Sequence, residues 1–284
     1  MRASKTMELR AFAKINLGLW VIGQREDGFH EVITVLHLIG LSDEIKIEPS
    51  PTLSVECDAC PGGPENLAWK AAEAMGRTGV AIQIKKGIPV GGGLGGGSAD
   101  AGAVMRALRG DLSNDELMRK ATRIGSDVPF FASAWTAALA RGRGEIITPI
   151  RSKLRARLVM FIPCKGVDTR WAYGLLRKEG IYENSERSER SAAAIAEAVE
   201  HGNLDELSGQ AFNSFERVIL REKPRLAKAK EALLSAGARL ALLSGSGGVV
   251  YGLFPEGENL PEMPDIGGRW ATTTLGCEIE HPRA

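Results

Sequence analysis

The sequence predicts an α+β fold in two closely packed domains, residues 1–155 and 156–284. Three observations carry that expectation. The first half opens on β-branched and aliphatic runs before any helix, and the second half mixes helices with strands. Between a strand and an apolar-faced helix of the first half, six glycines occupy the seven positions 91–97.

MELRAFAKINLGLWVIG (7–23), EVITVLHLIGL (31–41), DEIKIEP (43–49) and TLSVEC (52–57) read as four strands. ENLAWKAAEAMGR is a helix with Leu67, Ala71 and Ala74 on one face, and AIQIKKGIPV is a strand. After the glycines, SADAGAVMRALRG is a helix, and NDELMRKATRIG is another with Ser113 as its N-cap. SDVPFFAS opens a short helix with Pro129 in its first turn, and AALARGRGEIITPI forms a hairpin turning on GRG. In the second half, RARLVMFIPC (155–164) is a buried strand. DTRWAYGLLRKEG, SERSAAAIAEAVEHG and PRLAKAKEALLSAG are helices, the last closed by Gly237. ALLSGSGGVVYGLF is strand–turn–strand, GENLPEMPD is a surface loop, and RWATTTLGCEIE (269–280) is a final strand.

A net charge of +1, from 36 basic and 35 acidic residues, gives no basic field for nucleic acid. No apolar run reaches the roughly 18 residues of a membrane helix, and the opening lacks a signal-peptide core. A cytoplasmic protein is expected, with Met1 or Met7 as its natural start and a monomeric or homodimeric state. Cys57 and Cys60 form a lone CxxC followed by loop sequence, without the second knuckle of a structural zinc site. Whether the two pair is left open. Cys164, Cys277, His37, His201 and His281 carry no functional spacing.

The glycine segment admits three readings. A flexible linker would be flanked by other loop composition, which this one is not. A dinucleotide fingerprint is met by Gly91, Gly93 and Gly96, but Asp111 falls between two helices rather than after a second strand. A phosphate cradle fits best. Glycines let consecutive N–H groups approach an anion, and the following helix presents its positive end. No Gly-Lys-Ser/Thr closes the loop, so it is not a Walker A sequence.

IPVGGGLGGGSADA resembles the central motif of the GHMP kinases, and AKINLGL (13–19) and LLSGSGGVVYGLF (242–254) stand where that superfamily has its other two motifs. AFAKINLGLWVIGQREDGFHEV, GSDVPFF, ENLAWKAA, GRGEIITPI and FNSFE (212–216) are further similar to the branch that phosphorylates a cytidine diphosphate-linked methylerythritol. The resemblance implies a two-domain GHMP kinase fold with its site in the cleft between domains. It implies ATP and Mg2+ as co-substrate and cofactor, and a cytidine diphosphate-linked alcohol as acceptor at its 2-hydroxyl. Homoserine- or mevalonate-type phosphorylation is the alternative, and a nucleotide-binding module without turnover is a third reading.

By the same resemblance, Asp127 is the general base and Lys14 its charged partner. Asn66, Pro89, Gly91, Gly92, Gly93, Leu94, Gly95, Gly96, Gly97 and Ser98 bind ATP, with Ser98 the candidate protein ligand for Mg2+ and no other metal ligand expected. Asn16, Phe29, His30, Asp127, Thr169, Tyr173, Gly245 and Ser246 contact the acceptor, His30 and the flanking aromatics reading the cytosine. Two departures stand out: Phe29 replaces the family's usual Tyr, and Ala99 a frequent second Ser. Read from the residues themselves, Asp127 could equally cap the helix that starts at SDVPF, and Asp100 is an acid favoured by a helix first turn. Asp100 is not assigned as the base.

Overall fold

The computed structural model of the chain describes residues 5–275. Its strands are β1 (Met7–Gln24), β2 (His30–Pro49), β3 (Ser54–Cys57), β4 (Val80–Lys85), β5 (Ala137–Arg141), β6 (Ile146–Ile150), β7 (Ala156–Pro163), β8 (Phe212–Asn213), β9 (Leu240–Leu243), β10 (Val250–Pro255) and β11 (Gly268–Leu275). Its helices are α1 (Leu67–Ala74), α2 (Gly96–Leu108), α3 (Asn114–Ile124), α4 (Val128–Ala132), α5 (Thr169–Glu179), α6 (Ser185–His201), α7 (Leu204–Gln210), α8 (Glu216–Glu222) and α9 (Pro224–Ser235).

The strands join in one sheet of order β3-β4-β2-β11-β7-β10-β9, with β1 and β5 also paired to β2. The long antiparallel β1–β2 ribbon is its spine. Its register shifts between Phe12 and Lys14 and again between Asn16 and Gly18. Such irregularities bend a strand and re-aim its side chains. Here they bracket Lys14–Asn16, the two polar residues that an otherwise apolar strand carries inward.

The two strands expected at 31–41 and 43–49 are one continuous strand. Gly40 does not break it, but marks a close approach: a methyl group there would lie 2.9 Å from Thr273 Oγ1 and 3.1 Å from Thr274 Oγ1. At that point β11 meets β2, Leu275 opposite Ile39, and joins the C-terminal strands to the N-terminal ribbon. The final strand is seen to Leu275; the rest of its expected span, with Cys277 and His281, lies outside the described residues.

Two hydrophobic clusters fill the molecule. The larger draws Ile15, Leu36 and Phe130 from the first half and Ile195, Leu242 and Tyr251 from the second. The smaller packs Phe161, Phe215 and Leu233 around β7, β9 and β10. Helix α3 starts on the expected Ser113, whose side chain accepts from Glu116 N while Glu116 reaches back to the Ser113 backbone. Helices α7 and α8 have seven residues each, too few for a period to declare itself in sequence.

Candidate active site

The glycine loop sits where β4 hands over to α2. Gly91, Gly93 and Gly95 have φ of 72°, 75° and 76°, the left-handed region in which a side chain is strained. Close packing adds a second constraint at Gly93, where any methyl group would collide with the Ser244 carbonyl oxygen. The loop and the first turn of α2 line a cleft of about 250 Å³ with Cys60, Asn66, Lys86, Pro89 and Asp100.

The third motif closes on this loop from the other half of the chain. Ser244 Oγ donates to the Gly93 carbonyl at 3.0 Å, and the Gly245 N–H donates to Asn16 Oδ1 at 2.9 Å. Asn213 Nδ2 holds the turn from beneath by donating to the carbonyls of Leu243 and Gly245. Ser246 Oγ lies 2.9 Å from Thr169 Oγ1 at the start of α5.

Lys14 is 4 % exposed. Its Nζ donates to Asn16 Oδ1 at 2.6 Å and to the Gly93 carbonyl at 2.9 Å, while its backbone N–H bonds the Leu94 carbonyl. The lysine is therefore tied to the glycine loop as well as to β1. The direct ion pair with Asp127 that the resemblance implied is not formed; Nζ is turned to Asn16 and Gly93 instead, and the two charges act on one another only through space. Burial lowers the Lys14 pKa, and the Asp127 carboxylate opposes that shift.

Asp127 stands at the N-cap of α4, yet its side chain makes no capping bond. Pro129 lies inside the first turn and removes one donor from it. Capping thus does not consume the carboxylate. Its charge also reaches Tyr173, whose phenol is held above its ordinary pKa first by burial and then by Asp127.

Tyr173 carries the site outward. It stacks on His30 at 4.4 Å between centroids and meets Phe215 edge-on at 4.8 Å. His30 Nε2 is buried without a hydrogen-bond partner, and burial, then Arg177, lowers its pKa. A neutral imidazole with an unpaired nitrogen keeps hydrogen-bonding capacity that no protein group uses. Phe29 stands 51 % exposed beside it, with the Arg143 guanidinium 4.6 Å above its ring.

Asn16 is more committed than its expected substrate contact suggests. Its Oδ1 accepts from Lys14 and Gly245, and its Nδ2 donates to Thr34 Oγ1 at 2.8 Å. It is 3 % exposed, so its evident work is to tie Lys14 to the third motif. Asn66 Oδ1 caps α1 through Ala68 N, and its Nδ2 donates to the Pro61 carbonyl.

Two residues that the sequence did not single out, Asp43 and Lys86, form a buried triad with Asp100 under the loop. Lys86 Nζ pairs with Asp43 and, at 2.8 Å, with Asp100 Oδ2; Asp43 Oδ1 also accepts from the N–H groups of Gly87 and Ile88. Asp43 thereby fixes the strand exit, and the shared ammonium ties it to Asp100 in α2; because α2 begins at Gly96, Asp100 lies past the first turn in which the sequence had placed it. Burial pushes Asp100 up to about 7 against the pull of Lys86, and its Oδ1 has no partner. A period-two signal was present: Asp43 is in phase with Ile45 and Ile47, and Lys86 with Ile82 and Ile84. Among the described residues no group of three or more His, Cys, Asp or Glu could hold a metal ion.

These features are those of a nucleotide-dependent phosphotransferase, and the comparisons agree. The GHMP kinases N terminal domain matches residues 66–134 and the GHMP kinases C terminal domain residues 195–264. A 4-diphosphocytidyl-2-C-methyl-D-erythritol kinase from Gloeobacter violaceus is 38% identical over 88% of this chain and 86% of its own. One from a Geobacter species is 35% identical over 98% of this chain and 96% of its own. The crystal structure of a 4-(cytidine 5'-diphospho)-2C-methyl-D-erythritol kinase superposes with a TM-score of 0.75 at 35% identity, over 95% of this chain and all of that one. A homoserine kinase from Cytophaga hutchinsonii shares the fold alone, at 16% identity and a TM-score of 0.72 over 97% of this chain and 96% of its own. The chain belongs to the GHMP kinases, in the family of the 4-diphosphocytidyl-2-C-methyl-D-erythritol kinases. It is an ATP-dependent small-molecule kinase.

Proposed function

We propose that the protein transfers the γ-phosphoryl group of ATP to the 2-hydroxyl of 4-diphosphocytidyl-2-C-methyl-D-erythritol. The observation that carries this reading is a line of contacts and through-space charge interactions from the glycine loop to an unsatisfied aromatic-stacked imidazole. Gly93 holds Lys14, Asp127 acts on both Lys14 and Tyr173, and Tyr173 stacks on His30. A donor-rich loop suits a polyphosphate; a histidine nitrogen beside a ring face suits a nucleobase edge.

Phosphoryl transfer needs positioning and charge neutralisation more than covalent chemistry from the protein. The N–H groups of residues 91–97 and the start of α2 would hold the phosphates, with Asn66 and Pro89 on the nucleotide side. The 2-hydroxyl is tertiary and crowded, and becomes a competent nucleophile when Asp127 accepts its proton. Lys14, buried and held by Asn16, keeps a positive charge near that carboxylate and near the γ-phosphoryl oxygens. His30 donates or accepts at the cytosine edge, Tyr173 packs behind it, and Phe29 with Arg143 covers the outer face. Thr169, Gly245 and Ser246 close the acceptor side.

The donor set suits Mg2+, an ion that retains water and binds through phosphates and few protein groups. Ser98, in the first turn of α2, offers a hydroxyl, and Asp100 an unpartnered oxygen close by. When bound, the ion neutralises charge on the phosphates. No helix among the described residues is long and apolar enough to cross a membrane.

Acceptor preference tests the reading. ADP release is measured with the cytidylylated alcohol, homoserine and mevalonate in parallel. Turnover confined to the cytidylylated alcohol is expected; turnover confined to either of the others would overturn the assignment.

A further inference from the structure

The CxxC motif is the one sequence feature that phosphotransfer leaves unused, and the structure places it in the wall of the nucleotide cleft. Cys57, the last residue of β3, and Cys60 are joined as a disulfide with Cα atoms 5.4 Å apart. Both are half-buried, so the bond is within reach of solvent. Cys60 lines the cleft together with Pro61, Asn66, Lys86 and the glycine loop.

The loop between the cysteines is bolted to the same machinery. Asp58 Oδ1 accepts from Lys86 N at 2.9 Å, and Asp58 N donates to the Ile84 carbonyl. Asn66 Nδ2 lies 3.6 Å from Cys60 Sγ and donates to the Pro61 carbonyl at 2.9 Å. Two of the groups that hold the Asn66 amide therefore move with Cys60.

We propose that Cys57 and Cys60 form a dithiol–disulfide exchange site whose oxidation state sets the affinity of the adjoining cleft for ATP, with a dithiol as the reacting partner. This rests on the reading of the cleft as the ATP site. In the forward step a thiolate of the partner attacks one sulfur, forming a mixed disulfide and releasing the other cysteine. The partner's second thiol then attacks the mixed bond, closing its own disulfide and releasing the remaining cysteine. Two electrons and two protons pass to the protein, and the dithiol is oxidised to a disulfide.

Without the bond the two sulfurs separate to non-bonded distance. Cys60 and Pro61 then no longer fix the Asn66 amide, and the wall facing the nucleotide loosens. The loss is that of one neutral hydrogen bond, a weakening of ATP binding of about threefold to tenfold.

The test compares wild-type enzyme oxidised and after reduction with dithiothreitol, thiol titration confirming a gain of two thiols. MgATP affinity is measured by calorimetry and both KM values by ADP release. Reduction is expected to weaken ATP binding about threefold to tenfold, while the KM for the cytidylylated alcohol stays within about twofold. A Cys57→Ser/Cys60→Ser double variant is expected to bind ATP as the reduced form does and to ignore dithiothreitol. Equal ATP affinity in the two wild-type states, or a response that survives in the double variant, would overturn the proposal. The wild-type comparison decides it even where the variant folds poorly. Absence of ATP binding in both states would instead overturn the site reading beneath it.

Discussion

Single residues in this site are defined by what their polar atoms lack as much as by what they hold. Lys14 and Asn16 are each held by more than one protein partner and act as fixtures of the loop. Asp127, spared from capping, and His30, with a bare Nε2, are the groups left to meet ligands. On this account His30→Ala removes a recognition group and little else. It should raise the KM for the cytidylylated acceptor by about tenfold or more, the worth of one hydrogen bond with stacking, and leave the KM for ATP nearly unchanged. Steady-state kinetics with each substrate varied in turn checks this; a change confined to the ATP constant would exchange the two pockets. Lys14 and Asn16 were legible as one strand face, and the glycines as a loop that needs a left-handed backbone, from periodicity and backbone freedom alone. The role of Asp127 was not. Nothing local distinguishes a carboxylate that caps a helix from one that is kept free of it, and only resemblance proposed the difference.

At the scale of elements, β2 shows both the reach and the limit of pattern. Its alternation over DEIKIEP was clear, but the break expected after Leu41 is absent, and what Gly40 is for shows only in its contact with Thr273 and Thr274. Pattern shows which way a residue points; it does not show what waits there. The same holds for His37, which β2 buries completely. Its Nδ1–H donates to the Leu38 carbonyl at 2.7 Å, and its Nε2 accepts from Ser152 at 2.8 Å, tying the strand to the segment before β7. Burial first, opposed by the Leu38 bond and aided by Arg155, holds its pKa down to about 4. The unfolded chain takes up this proton near 6.5, so between the two values it binds more protons than the folded protein. Stability should therefore fall as pH drops from about 6.5 toward 4, by up to about 3 kcal/mol from this group. Urea midpoints of wild type and His37→Asn across that range check the sign: the wild-type slope should be the steeper, and equal slopes would remove His37 from the account.

Across the whole molecule, the site exists because distant segments converge on one glycine loop. β1 brings Lys14, α4 brings Asp127, the β9–β10 turn brings Gly245 and Ser246, and α5 brings Tyr173. The larger core holds residues of both halves, so these parts are placed by common packing rather than by a mobile linker. Fold class and the order of the three motifs could be read from the sequence. The inward phase of Asp43 and Lys86 could be read too, but not their meeting with Asp100, since the three lie far apart in the chain and join only when β2, β4 and α2 are assembled. On the proposed function, the product of this convergence is Asp127 as proton acceptor for an alcohol aligned with ATP. That role is tested most directly by ADP release with the cytidylylated acceptor, on wild type and Asp127→Asn, with ATP affinity measured alongside. The account predicts a fall in kcat of about 10²–10⁴-fold with ATP binding intact; equal rates in the two proteins would contradict it.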